Sequence, residues 1–500
     1  MTSTLDPRAA LRAIWADASL DMSHLQQADL TGADPVLPSS FAVGTAAQAS
    51  IAAAALAAVA LGHARNGVQQ RVAVDMAHAA LECTGHHSVD GHTPEVWDKL
   101  SGLYRCSDGW VRVHANFAHH RDGAMRVLGL PSGAATERKQ VDAALAKWKA
   151  LDFEQACADA NVVVAAVRGF DEWDAHPHSK AVAAAPLITL EKIGDAAPRT
   201  LPVLPVHAQP LQGVRVLDLT RILAGPVCGR TLAAYGADVM LINAPHLPNI
   251  EAIADTSRGK LSAHVDLRTD SGRDNLRALL RDANVFVQGY RPGGLAAHGF
   301  GPQDAAKLCP GLVYVSLSAY GESGPWGGRR GYDSLVQTAT GFNHAEAEAA
   351  QDAQMATRGD AGQRKSAQAN SASGHAQHAA APQPEAPQPK AMPVQILDYA
   401  SGFLMAFAAS AALLRQQQEG GSWHACVSLA RTAQWVRSLG RVERGFDVTA
   451  PAREAYLEST ESGWGALVAL KHAAQFSQTP ARWSRPSVRP GSHAPAWLTG

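Results

Sequence analysis

Charge of either sign is scarce, and what there is cancels. The 500 residues carry 44 Lys+Arg and 45 Asp+Glu, a formal net charge of −1, and only 18% of positions are charged. Such a chain offers no net field to draw in nucleic acid or an acidic membrane, so neither is expected as a partner. Cysteine is equally thin: six residues, at 83, 106, 157, 228, 309 and 426, with no C-x-x-C. That argues against a disulfide framework and for a reduced, cytoplasmic setting. The 21 histidines include the pairs His86-His87 and His119-His120 but no H-E-x-x-H. Adjacent histidines point apart on most backbones, so no metal site is expected. There is no G-x-G-x-x-G and no G-x-x-x-x-G-K-[ST], which disfavours a dinucleotide or P-loop site. The longest apolar stretches, 51–61 and 399–414, fall short of the ~20 residues that span a bilayer. The opening Met-Thr-Ser-Thr-Leu-Asp-Pro lacks the basic start and apolar run of a secretory signal.

What is present is an alternation. Asp6-Pro7 opens a helix over 6–18, with Pro at the first helical position. An Ala-rich helix spans about 45–63, a strand 71–75 follows, and 104–114 reads as a hairpin around Asp108-Gly109. Residues 120–187 read as mostly helical, and the four prolines of 194–212 mark a linker. From Gly213 onward, strands at 214–219, 238–242, 284–287 and 312–317 alternate with helices. That pattern predicts an α/β fold with a doubly wound, mostly parallel, Rossmann-like sheet. Residues 346–392 contain no Leu, Ile, Val, Phe, Trp or Tyr. They cannot bury enough apolar surface to offset their ordering entropy, and we read them as a disordered insertion. Order resumes with an extended 394–398, an amphipathic helix to about 417 and a strand over 423–429.

Segments 41–77 and 394–430 match as a repeat: Ala-rich helix, Gly-containing turn, strand, helix. Asp398 lies 31 residues before Leu429, and Thr45 lies 31 before Met76. The copies therefore differ at one chemically decisive position, Asp398 against Thr45. On one reading Asp398 is only an N-cap. On the other, the free N–H groups and dipole of a helix N-terminus hold a carboxylate that is ionised at neutral pH and attacks an acyl group without a partner base. That attack leaves a mixed anhydride, whose acyl group stays activated if water is kept out.

Five separated motifs carry a resemblance. They are 214–226 (VRVLDLTRILAGP), 258–268 (RGKLSAHVDLR), 285–293 (VFVQGYRPG), 314–333 (YVSLSAYGESGPWGGRRGYD) and 398–414 (DYASGFLMAFAASAALL). In this order and spacing they resemble the family III, or CaiB/BaiF-type, CoA-transferases. The tail from Thr479 to His493 is similar to that family's C-terminal segment. The first half resembles the family's later part, so the chain resembles a rearranged member with a smaller α+β domain placed first. The expected division is an N-terminal helical extension (1–40), the helix and small domain (41–193), the linker (194–212), a CoA-binding Rossmann-like domain (213–345), the insertion (346–392), the aspartate and its helix (393–440) and a C-terminal segment (441–500).

The resemblance implies a transferase that moves CoA between an acyl-CoA thioester and a free carboxylic acid. Coenzyme A is then a substrate, with no permanently bound cofactor, and a homodimer is expected by analogy. Asp398 matches the family's nucleophile, which forms an aspartyl anhydride and then an aspartyl-CoA thioester. Leu223 and Ala224 lie in the loop over the reacting thioester. Leu223 stands where the oxalate-using branch has glutamine. Val265, Asp266, Leu267, Arg268, Gly289, Tyr290, Arg291, Arg330 and Asp333 match segments that hold CoA, with Arg268, Arg291 and Arg330 as cations for its phosphates. Ala244 and Ala297 replace two basic positions of that branch. Thr45 predicts no second nucleophile. Two alternatives stand beside this one. An α-methylacyl-CoA racemase of the same family is disfavoured because Gly331-Tyr332-Asp333 puts tyrosine where that branch has histidine. The other is a non-catalytic acyl-CoA-binding protein.

Overall fold

The computed structural model describes residues 5–369 and 387–498. Its main element is a seven-stranded sheet. Six strands run parallel: in chain order Arg215–Leu219, Asp238–Asn243, Lys260–His264, Val285–Gln288, Val313–Ser318 and Ser422–Ser428. Their spatial order is third, second, first, fourth, fifth, sixth. This is the doubly wound order, whose switch point falls between the first and fourth strands. The strands read as near-continuous apolar runs because helices cover both faces. The third strand, Lys260–His264, was not anticipated: Lys260 and Ser262 interrupt its apolar run, yet both are fully buried.

The repeat is built into the fold. Val43–Asn66 and Ile396–Glu419 are both 24-residue helices, and they pack against each other in the centre of the molecule. Both are long and apolar enough to cross a membrane, although almost every residue in their apolar windows is buried inside the protein. Their starts match closely: N-caps Ala42 (φ −76, ψ 63) and Gln395 (φ −79, ψ 61). Thr45 and Asp398 are each the third helical residue. Asp398 is therefore not the N-cap, and 396–398 is helical where an extended segment was expected, because Gln395 already makes the turn. After the helices come strands Val72–Asp75 and Ser422–Ser428, then helices Met76–Glu82 and Leu429–Ser438.

The two halves also exchange strands. Thr189–Gly194, which ends the first half, pairs antiparallel with Ser422–Ser428 at the edge of the large sheet. Ala474–Phe476, near the end of the second half, pairs antiparallel with Val72–Asp75, which itself pairs in parallel with Ala28–Thr31. Each half thus closes the other's sheet. The connection 195–212 between them contains no helix or strand.

Gly102–Arg105, Trp110–Val113 and Val164–Ala166 form a small antiparallel sheet with its own core of Leu100, Tyr104, Val111, Val113, Phe153 and Val164. Its turn sits one residue earlier than expected: Cys106 N–H donates to Gly109 O at 2.8 Å, while the Asp108 carboxylate accepts from Ala150 N–H at 2.8 Å. The second half keeps only a hairpin of this unit, Leu457–Ser462 with Gly465–Leu470. Strand Ala28–Thr31 also shows that 1–40 is more than a helical extension.

Residues 346–392 need a correction. Phe342–Ala369 is one helix, because Ala, Glu and Gln are strong helix formers and need no large apolar face to propagate a turn already docked. Its start is anchored by buried Glu346, whose carboxylate accepts from Ser40 N–H at 3.2 Å and from the Ser39 hydroxyl. Residues 370–386 lie outside the described residues.

Candidate active site

The carboxyl ends of parallel strands are where a doubly wound sheet binds ligands. The loop after the first strand, 220–226, is set there by a buried pair. Lys260 Nζ donates to Asp218 Oδ2 and to Pro226 O, both at 2.9 Å, and neither charged side chain reaches solvent. Asp218 Oδ1 accepts from Thr220 N–H at 3.0 Å and from its hydroxyl at 2.5 Å. Ile222 within this loop has φ +78. For a β-branched residue that is a strained conformation, of the kind found at ligand sites. Leu223 caps helix Ala224–Ala234.

That helix packs on Ile396–Glu419 at Gly402, where an added Cβ would lie 2.5 Å from Ala224 O. The close approach seats the long helix, one turn beyond Asp398, against Ala224 and Val227. Asp398 is buried at 8% exposure, and Asp333 is fully buried. Asp333 Oδ2 accepts Asp398 N–H at 2.9 Å, and its carboxylate also takes the Leu397 N–H. Asp333 is thus the anion of this helix N-terminus, and Asp398 stands beside it. Burial pushes Asp333 up to about 7. Burial and the neighbouring Asp333 charge push Asp398 well above the carboxylate range. Against the expectation of a simply ionised Asp398, burial and the neighbouring Asp333 charge both raise its affinity for a proton.

The other wall comes from the first half. Trp110, Arg112 and His114 alternate along one face of their strand, which packs on helix Asp333–Ala339. His114 stacks on Tyr332 with centroids 4.2 Å apart. His120 Nε2 lies 3.4 Å from the Tyr332 hydroxyl, and Arg221 lies over the Phe117 ring at 5.9 Å. Burial pushes His114 down to about 4 and His120 to about 3, so both imidazoles are neutral. Tyr332 is pushed up to about 12 by burial. None of these first-half residues was anticipated. The only signal, aromatic and His residues clustered over 110–120, reads equally well as core.

The remaining sequence candidates divide. Gly289, Tyr290 and Arg291 follow the fourth strand, across the switch point from 220–226. The Tyr290 N–H donates to the buried Gln288 side chain at 2.8 Å. Arg291 and Arg330 are exposed, and among the described residues neither makes an ion pair. Val265, Asp266, Leu267 and Arg268 follow the third strand, farther out on the same edge. Arg268 is not a free cation: it is spent in a bidentate pair with Asp266, at 2.9 and 2.6 Å. Among the described residues, buried Asn243, at the end of the second strand, has no partner for either side-chain atom. It lines a small cavity with Thr220, Ile222 and Pro226. Glu322, His424 and Cys426 also converge, with ligand atoms within 4.8 Å of one another, although His424 Nε2 already bonds Ser316 Oγ at 2.8 Å. His424 and Cys426 lie two apart on one strand, and only the loop after the neighbouring strand adds Glu322, so the sequence spacing shows two of the three.

A profile described as CoA-transferase family III matches residues 22–201 and 211–455. An acyl-CoA transferase of Gibberella moniliformis is 28% identical over 314 residues, covering 55% of each chain. Succinate–glutarate CoA-transferase of Agrobacterium fabrum is 36% identical over 159 residues, which is 28% of this chain and 40% of that protein. An orthorhombic crystal structure of Rv3272 from Mycobacterium tuberculosis is 31% identical, with a TM-score of 0.35, over 46% of this chain and 58% of that one. The chain spans about half the length of the curated relatives it matches. With the profile matching both halves, the chain belongs to CoA-transferase family III.

Proposed function

We propose that the protein transfers CoA between an acyl-CoA thioester and a free carboxylic acid, with Asp398 as nucleophile. The observation that carries this reading is one buried carboxylate, Asp398, with no side-chain hydrogen bond among the described residues, held beside a second, Asp333, at the carboxyl edge of the sheet. Asp398 attacks the thioester carbonyl, CoA thiolate leaves, and an aspartyl anhydride forms. The thiolate then attacks the Asp398 acyl carbon and releases the donor acid, leaving an aspartyl-CoA thioester. The incoming carboxylate repeats both steps in reverse, which returns Asp398. The ionised, nucleophilic form of Asp398 is repelled by Asp333, and acylation removes its charge, so relief of that repulsion favours the anhydride. The packed 221–226 loop and the first-half wall keep water from the anhydride. Arg291 and Arg330 supply cations for CoA phosphates.

Hydroxylamine trapping tests this. Incubation with acyl-CoA followed by hydroxylamine should convert Asp398 to a hydroxamate, identified by peptide mass spectrometry. An unmodified Asp398 during measurable turnover would overturn the mechanism. A second reading has one observation in its favour: His120, from the other half, supplies an imidazole next to Tyr332. Wash-in of solvent deuterium at the α-carbon of an acyl-CoA would support that reading, racemisation, over transfer.

A further inference from the structure

Outside the active site, one face of the large sheet carries a cluster that the transfer chemistry does not use. On strand Ser422–Ser428, His424 and Cys426 are two residues apart and share that face. His424 is buried and Cys426 half-buried. The neighbouring strands add Ser316, in register with Cys426, and Glu191, in register with His424. From the connection after strand Val313–Ser318, Glu322 reaches the same place, and ligand atoms of Glu322, His424 and Cys426 all lie within 4.8 Å of one another. Glu322 is exposed, so an ion from solvent has access. The imidazole is held from behind. His424 Nε2 lies 2.8 Å from Ser316 Oγ, which also accepts from Gln288 Nε2 at 3.0 Å. An Nε2–H donated to Ser316 leaves the Nδ1 lone pair for a metal, the division of roles that orients a metal-bound histidine. Cys426 Sγ lies 3.7 Å from Nδ1 and 3.2 Å from Nε2. The first spacing is close to the roughly 3.5 Å that separates nitrogen and sulfur on one tetrahedral zinc. Among the described residues Glu322 has no hydrogen-bond donor or cation, and the Glu191 carboxylate repels it. A cation at this point relieves that repulsion.

We infer that Glu322, His424 and Cys426 bind one zinc ion, with water in the fourth position. Magnesium and calcium take oxygen ligands, whereas zinc accepts a thiolate, an imidazole and a carboxylate together. On binding, the Cys426 S–H bond breaks, its proton passes to solvent, and the sulfur electron pair forms the Zn–S bond. Glu322 belongs to the connection 319–332, which leads from strand Val313–Ser318 to the helix that opens at Asp333. The ion therefore fastens this connection, with Arg330 and Tyr332 on it, to the last parallel strand. The expectation of no metal site rests on the paired histidines, and His424 belongs to neither pair.

The test uses the full chain, zinc as the probe and a chromophoric chelator as competitor. Wild type should take up one zinc ion that excess magnesium does not displace. Glu322→Gln, a conservative change at an exposed position, should weaken zinc binding about 10- to 100-fold, and Cys426→Ser by at least as much. Ser316→Ala should weaken it about 10-fold by freeing the imidazole. Cobalt in place of zinc should give a thiolate charge-transfer band that Cys426→Ser abolishes. Zinc should also slow tryptic cleavage after Arg330 in wild type but not in Glu322→Gln. Equal zinc affinity in wild type and Glu322→Gln would overturn the site, as would bound cobalt without a thiolate band. Tight binding that depends on Cys426 but leaves the cleavage rate unchanged would overturn the fastening. None of these readouts depends on CoA transfer, so the transferase reading stands or falls separately.

Discussion

The two halves start their central helices in the same way and put opposite chemistry there. In the first half, Asp34 accepts Gly44 N–H at 3.0 Å and Thr45 N–H at 2.8 Å, and the Thr45 hydroxyl completes the set at 2.8 Å. In the second, Asp333 takes the Leu397 and Asp398 N–H groups, but the third helical residue brings a carboxylate instead of a hydroxyl. One anion at a helix N-terminus is a satisfied cap. Two are a loaded site. The comparison teaches that the reactive feature is a violation of a local rule that the other copy obeys, a pattern typical of functional positions.

Removing the violation should abolish activity. Asp398→Thr, which writes the first half's solution into the second, should lower turnover by on the order of 10⁴-fold. Thr45→Asp in that background should not restore it, since in the first half only the short strand Ala28–Thr31 precedes Thr45, where in the second half five strands precede Asp398. Steady-state kinetics on the two variants checks both statements. The halves are next held together by Arg230, fully buried between Glu82 of the first half (3.0 Å) and Asp255 of the second. Glu82 also accepts from His472 at 2.9 Å and from Ala473 N–H at 2.8 Å, and it is held down to about 2 by His472 and Arg230. Arg230→Met should cost about 3 kcal/mol in urea unfolding, because it removes the shared cation of two buried carboxylates and leaves Glu82 to His472 and Ala473 and Asp255 to Arg258.

Copying the loaded arrangement into the quiet half is the reverse experiment. Thr45→Asp faces buried Asp34, already pushed up by burial, and should lower stability at pH 8 by about 2–3 kcal/mol. The smallest effect is the most diagnostic. Asp398 and Asp333 have folded pKa values above their unfolded ones, so they bind extra protons when folded. Their favourable contribution is present below about pH 4 and is lost as pH rises through the folded values. Asp398→Thr should therefore be stabilising by about 1–2 kcal/mol at pH 8 and nearly neutral at pH 4, read from Tm against pH. A Tm difference that does not vary with pH would show that the two carboxylates are not coupled.

Much of the second half was legible because its strands are buried on both faces and read as apolar runs bounded by turn residues. The repeat was legible from register alone, and the helix starts match it residue for residue. The third strand was obscured by Lys260 and Ser262, whose partners are distant in sequence: Lys260 donates to Asp218 and Pro226, and Ser262 Oγ accepts Gly491 N–H. The helix at 342–369 was obscured because missing apolar residues argue against a core but not against a helix already anchored at Glu346. Arg268 was named as a phosphate cation by position, and only the folded turn shows it committed to Asp266.

The sequence by itself determined the alternation of strands and helices, the internal repeat, and the single Asp398-for-Thr45 difference, because periodicity and register are local properties of the chain. Only the tertiary structure decided that each half would finish the other's sheet, that His114 and His120 would come against Tyr332 from more than 200 positions away, and that burial beside Asp333 would raise the proton affinity of Asp398. Those outcomes depend on burial and on distances between segments remote in the chain, and neither is written in any local pattern.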